Sequence, residues 1–230
     1  MVDQILVSTR ETNREFIQNG KITHVYGPPK IGKSTLSANL ALELVKIGKK
    51  VSIISTERPI EIRMDSMIEA NTRYSIDLLE SILTSDIFTF TELIEVITNT
   101  LPNYELKVDL LIIDSLTACY RQNSGPINLT LLRKALASLQ SLAINKNLAI
   151  MFTNQVASLM NESNDYRPVA SATTRNYSDI TIRLSQKNDG RAEITIEDIF
   201  GEEIEVLNPA FTITEIGIEE FDQLFIIPEE

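Results

Sequence analysis

Residues 27 to 34 read Gly27-Pro28-Pro29-Lys30-Ile31-Gly32-Lys33-Ser34, a complete G-x-x-x-x-G-K-[ST] string. Two glycines let the backbone wrap an anion with its N–H groups pointing inward, and a helix that follows turns its positive end to the same point. Lys33 is placed to reach the outer phosphates of a nucleoside triphosphate, Ser34 to put its hydroxyl on Mg²⁺, and Thr35 continues the loop into the helix. This mechanism needs a strand before the loop and a helix after it. Lys21-Ile22-Thr23-His24-Val25-Tyr26 has the β-branched and aromatic content of a short strand. Thr35 to Ile47 reads as a helix with Leu36, Leu40, Leu44 and Ile47 on one face, stopped by Gly48. Lys30 stands where many such loops carry glycine, so either its φ is negative or the strain is tolerated.

The alternation continues. Lys50 to Thr56 is a buried-type strand, a mixed helical stretch runs from about Ile60 to Leu83, and Ile87-Phe88-Thr89-Phe90 has the look of another short strand. Thr91 can cap a helix from Glu92 to Leu101, ended by Pro102. Val108 to Asp114 is almost uninterruptedly apolar, the mark of a strand buried on both faces of a parallel sheet. A helix from Leu129 to Asn145 and a strand over Leu148 to Phe152 complete a doubly wound, mostly parallel α/β pattern. From Asp179 the pattern becomes period-two, over Ile180 to Ser185, Ala192 to Ile196 and Phe211 to Thr214, which predicts C-terminal antiparallel strands. Between the two patterns lies the polar stretch Asn161 to Asn176, expected to be a long functional or mobile loop.

A chain of 230 residues fits a single α/β domain. No apolar run approaches the ~20 residues that span a bilayer. Met1-Val2-Asp3-Gln4 lacks a basic segment followed by an apolar one, so a cytoplasmic protein with no membrane partner is expected. The one cysteine, Cys119, cannot form an internal disulfide and sits in an apolar stretch, so it is read as packing. His24, the one histidine, is read as a core residue of the first strand. The net charge of -11 is unevenly spread: residues 1 to 188 hold 20 Lys/Arg and 19 Asp/Glu, whereas residues 189 to 230 hold 1 and 13. The acidic segment is either a solvated face or a device that tunes electrostatic binding.

The rest of a nucleotide site is legible at strand ends. Asp114 closes the apolar strand Asp109 to Asp114, where a nucleoside triphosphatase keeps the carboxylate that steadies the Mg²⁺ shell. Glu57, just past the second strand, emerges at the carboxyl edge where ligands of open α/β sheets bind. It is either a base for the attacking water or a loop acid that starts a helix. Asn154-Gln155 ends the Phe152-Thr153 strand, and an amide there is either a γ-phosphate contact or an ordinary polar terminus.

Gly27 to Ser34, Ser55-Thr56-Glu57, Leu111 to Thr117, Tyr120-Arg121 and Thr153-Asn154-Gln155-Val156 occur in the order seen in the RecA/RadA recombinase family, which the chain resembles over nearly its whole length. Pro28-Pro29 and Tyr120-Arg121 look most like the archaeal RadB-type paralogues. The resemblance implies a RecA-like phosphate-loop core that uses ATP and Mg²⁺. It casts Lys33, Glu57 and Gln155 as the catalytic group, with Glu57 as base and Gln155 coupling the γ-phosphate to the following loop. Ser34 and Asp114 would serve the metal, and Arg63 would cover the adenine. Single-stranded DNA would be bound by loops at about 122–128 and 157–176, with Arg121, Arg167 and Arg175 in or beside them; solvent exposure or helix-end pairing is the alternative reading of these arginines. The resemblance begins near Ser8-Thr9, so the family's N-terminal helix-hairpin domain and subunit-linking hook are expected to be absent. Ala170-Ser171-Ala172 stands where recombinases carry a glycine pair. Filament formation of the RadA kind is therefore not expected. The function implied is a weakly hydrolysing accessory ATPase of homologous recombination and DNA repair, with DNA, a recombinase or another replication or repair protein as partner. The alternatives are an ATP-gated adaptor and a KaiC-like signalling ATPase.

Overall fold

The computed structural model describes residues 5–10, 14–121, 124–157, 166–198, 200–219 and 221–227. A hairpin of β1 (Ile5–Thr9) and β2 (Glu15–Gln18) leads into β3 (Ile22–Tyr26), α1 (Lys33–Lys46), β4 (Val51–Ser55), α2 (Glu61–Ala70) and β5 (Ile82–Asp86). Helix α3 (Phe90–Glu95) runs through a wide turn at Val96–Thr100 into α4 (Leu101–Asn103). Then come β6 (Leu110–Asp114), α5 (Ala118–Arg121), α6 (Pro126–Lys146), β7 (Ala149–Asn154) and the short ladder of β8 (Val156–Ala157) with β9 (Arg167–Pro168). The chain finishes with α7 (Ser171–Asn176), β10 (Ile180–Gln186), β11 (Ala192–Glu197), β12 (Glu203–Phe211), the small hairpin β13 (Ile213–Thr214) and β14 (Gly217–Ile218), α8 (Phe221–Leu224) and β15 (Phe225–Ile226).

Eight strands make one sheet in the order β12-β11-β10-β3-β7-β6-β4-β5. The pairs from β10 to β5 are parallel, and β10–β11 and β11–β12 are antiparallel. Alternate residues of the central strands feed two separate cores. Leu110 and Ile112 join Leu36, Leu40 and Leu44 of α1 on one face, while Leu111 and Ile113 join Leu132, Leu136 and Leu139 of α6 on the other. This double burial is the physical reason β6 is apolar throughout. Because β7 and β6 lie between β3 and β4, the carboxyl edge of the sheet opens a crevice between their ends, which is where such folds place a ligand. Among the described residues, no helix is long and apolar enough to cross a membrane.

Several expectations are corrected. The stretch from Ile60 to Leu83 is not continuously helical. Asn71 turns extended after α2, its side chain takes the Arg73 N–H at 3.0 Å, and a 3₁₀ turn over Ile76–Ser81 leads into β5. The strand expected over Ile87 to Phe90 lies at Ile82–Asp86 instead. There only Ile82 is buried, because β5 is an edge strand held by its ladder to β4 rather than by an apolar pattern. Thr89, not Thr91, caps α3, accepting the Glu92 N–H, so Phe90 opens a helix. Within the polar stretch 161–176, residues 161–165 lie outside the described residues, and the rest is ordered as β9 and α7. The C-terminal antiparallel strands are present as expected, and the parallel pairing of β10 with β3 makes them part of the main sheet. The β15-β1-β2 sheet has no counterpart in the sequence reading; it buries Phe16, Phe221 and Phe225 against one another.

Candidate nucleotide site

Register brings the pieces to one edge. Ser55 of β4 is opposite Asp114 of β6, and Tyr26 of β3 is opposite Asn154 of β7, so the loops after these strands leave the sheet at one level. The phosphate loop spans the gap from β3 to α1. Gly32 has φ 99°, which strains any side chain there, and a Cβ would also have to displace the tip of Ile213. Lys30 has φ 65°, which answers the question its identity raised: the loop tolerates the left-handed conformation in an exposed residue.

Five of the expected site residues, Ser34, Thr35, Glu57, Arg63 and Asp114, line a cavity of about 460 Å³ together with Arg58 to Ile60, Ile62 and Ser66. Lys33 Nζ donates to the carbonyls of Gly27 and Pro28 at 2.8 and 2.9 Å. Burial lowers its pKa, against the opposing charges of Asp114 and Glu57. Asp114 is held by the hydroxyls of Ser34 and Thr153, and burial, the dominant influence, raises its pKa. Glu57 Oε1 accepts from Gln155 Nε2 at 2.7 Å and from Ser115 Oγ at 3.2 Å, and Gln155 Oε1 accepts from Arg121. Gln155 and Arg121 thus reach the cavity through Glu57 and do not line it. Arg63, on α2, lines the cavity and donates to the Thr214 carbonyl.

Two groups were not anticipated. Thr153 supports Asp114, and Ser115 both accepts the Ala118 N–H and donates to Glu57. Both are hydroxyls at or just past strand ends, the one signal that could have found them. Asn154 is the converse: it is buried and turned away from the cavity, donating to the Val169 carbonyl at 3.0 Å and approaching His24 Nε2 at 3.2 Å.

The three DNA-contact arginines part company. Arg121 is exposed and bound to Gln155, and Arg167 is exposed on β9. Arg175 is turned inward: its guanidinium pairs with Glu197 at 2.8 Å and contacts the Tyr26 hydroxyl, and its side chain is 11% exposed. The reason is Glu197, a carboxylate 1% exposed between Tyr26, Arg175 and Arg183 that demands compensating charge. Burial and the Glu197 charge hold the Tyr26 hydroxyl above its ordinary pKa. Of the two loops, 122–123 and 158–165 lie outside the described residues, and α6 already begins at Pro126.

A strand, a glycine loop closing on a helix, and an acid at the end of a neighbouring strand define a phosphate-loop protein with a RecA-like core. Known proteins agree. The family model described as Rad51 matches residues 8–221, and this chain belongs to that family. It is similar to the DNA repair and recombination protein RadB of Methanocaldococcus jannaschii, 29% identical over 228 residues that cover 96% of this chain and 100% of the relative. The RadB of Thermococcus sibiricus is 30% identical over 90% of both chains, and that of Halobacterium salinarum 27% identical over 79% of both. Within the family the chain is RadB-like. Members of the RecA/Rad51 family are ATPases that work with ATP and Mg²⁺.

Proposed function

We propose that this chain binds Mg·ATP and hydrolyses it slowly, serving homologous recombination and DNA repair as an accessory that binds single-stranded DNA, a recombinase, or both. The observation that carries this reading is the convergence of Ser34, Glu57, Arg63 and Asp114, from α1, the loop after β4, α2 and β6, on one cavity beside the phosphate loop, with Gln155 bonded to Glu57. The residues fit the metal: the Ser34 hydroxyl and the Asp114 carboxylate, already bonded to each other, are hard oxygen donors of the kind Mg²⁺ takes beside phosphate oxygens. Bound there, Mg²⁺ would neutralise charge on the phosphates. Lys33 would exchange the loop carbonyls it now holds for β- and γ-phosphate oxygens. Glu57 would take a proton from the water that attacks the γ-phosphorus, and Gln155, bonded to Glu57, would orient that water and sense the γ-phosphate. Arg121 and Arg167 are exposed groups suited to a nucleic-acid backbone, and the half-buried Tyr166 beside the latter offers a base face.

Titration calorimetry tests the site. Lys33→Ala is expected to lose most of the Mg·ATP affinity, and Glu57→Gln to keep the affinity while turnover falls by about 10²-fold or more. Full affinity in Lys33→Ala would falsify the assignment.

A second reading, an adaptor that keeps ATP as a structural ligand, is favoured by one feature: Glu57 Oε1 already has two partners, Gln155 and Ser115. Turnover with and without single-stranded DNA separates the two, since no hydrolysis in either state leaves the adaptor.

A further inference from the structure

The geometry points to the small C-terminal hairpin, β13–β14, as the element that sets base recognition in the nucleotide cavity: Asn39 and Gly217 lock the hairpin onto α1, and the Thr214 carbonyl it carries positions Arg63 for a nucleobase. The inference rests on the triphosphate reading of the cavity and adds to it a division of labour between phosphate and base.

The hairpin reaches the site at two points without lining the cavity. Ile213 packs where a Gly32 side chain would be, within 2.0 Å of that Cβ position. Thr214, the next residue, takes one Nη2 hydrogen of Arg63 on its carbonyl, across 151 residues of sequence. Arg63 is half-buried, and its Nε is shielded from solvent with no partner, so the guanidinium is held at one corner and keeps donors unspent. Its neighbours in the cavity wall, Pro59, Ile62 and Ser66, offer apolar surface and one hydroxyl, and Arg58 lies beyond Pro59. That composition suits a flat heteroaromatic ring, over which a guanidinium stacks.

The lock on the hairpin is independent of the site. Ile218 N–H donates to Asn39 Oδ1 at 2.8 Å, and Asn39 Nδ2 in turn donates to the Tyr74 hydroxyl at 3.2 Å. Gly217 has φ 111°, and a Cβ there would lie 2.3 Å from Asn39 Oδ1 and 2.6 Å from Met67 Cε. A side chain at 217 is strained at this φ and displaces the Asn39 amide that holds the Ile218 N–H, which loosens the hairpin from α1 and with it the Thr214 carbonyl. The backbone of the phosphate loop is held by its own turn and by α1. A displaced hairpin should thus cost base recognition and spare phosphate recognition.

Calorimetry with Mg·ATP and Mg·tripolyphosphate, which carries the phosphates alone, tests this on the wild-type chain, Gly217→Ala, Arg63→Met and the double variant. Each single substitution is expected to weaken Mg·ATP about tenfold and leave Mg·tripolyphosphate within about twofold, and the double variant to lose no more than Arg63→Met, because both act through one contact. Asn39→Ser, which drops the Ile218 bond without adding bulk, takes the place of Gly217→Ala if that chain does not fold. Parallel loss of both ligands, unchanged Mg·ATP affinity in the hairpin variant, or full additivity overturns the inference. A wild-type chain that binds tripolyphosphate as tightly as ATP overturns it alone; one that binds neither removes the triphosphate reading as well.

Discussion

At the scale of single residues, two side chains carry costs that the fold absorbs. His24 is fully buried between Tyr26 and Phe152, and burial with the nearby Arg175 charge lowers its pKa from 6.5 to about 3. A folded pKa below the unfolded one gives stability that is present above pH 6.5 and lost as pH falls toward 3. Because the chain has no other histidine, the unfolding free energy between pH 6.5 and 5 is expected to fall with a His24-dependent slope approaching about 1.4 kcal/mol per pH unit. Urea titrations of wild type and His24→Gln check this; equal slopes in both would contradict it. Lys30, at φ 65°, carries a left-handed penalty of roughly 1–2 kcal/mol that glycine does not. Lys30→Gly is expected to raise the thermal midpoint slightly, and Lys30→Val to lower stability by about 1–3 kcal/mol, read by calorimetric scans. The motif made Lys30 visible as an oddity, but only the path of the loop shows which way the oddity was resolved.

At the scale of elements, α7 and β9 separate two arginines that look alike in sequence. Arg167 is exposed, whereas Arg175 lies across β11 as the counter-ion of Glu197. Arg175→Ala is expected to destabilise the fold by about 3 kcal/mol, since it leaves a buried carboxylate short of one partner. Arg167→Ala should change stability by less than about 0.5 kcal/mol and reduce the salt slope of single-stranded DNA binding by about one. Chemical unfolding and salt-dependent binding of the two variants check both arms; a reduced slope with intact stability in Arg175→Ala would return that arginine to the surface. By number both residues fall in the stretch 157–176. Their side chains diverge because Glu197, two strands away in the ladder, cannot be seen from the neighbours of Arg175 in the chain. Edge strand β5 escaped in the same way, for its position comes from pairing with Val51–Ser55 and not from its own pattern.

At the scale of the whole molecule, the charge imbalance dissolves into pairing. Glu193, Glu197, Glu203, Glu205 and Asp222 of the acidic C-terminal segment form ion pairs with Lys187, Arg175, Arg183, Arg14 and Arg73. Part of the segment is thus a structural counter-charge rather than a free acidic face. Ligand binding is also a property of the whole fold, since the cavity draws on α1, α2, β6 and the loop after β4. Mg·ATP at about a hundred times its dissociation constant is expected to stabilise the chain by about 2.7 kcal/mol, and a chelator to remove most of that gain; thermal-shift titrations read both. The phosphate loop, the alternation of strand and helix and the acid at Asp114 were legible along the chain, because each rests on spacing of a few residues that local chemistry dictates. Long-range contact alone decided three things: the inward turn of Arg175, the joining of β10 to β3, and the hairpin that grips Arg63 from residue 214. Each depends on two segments far apart in sequence meeting in one buried place, and no periodicity along the chain encodes such a meeting.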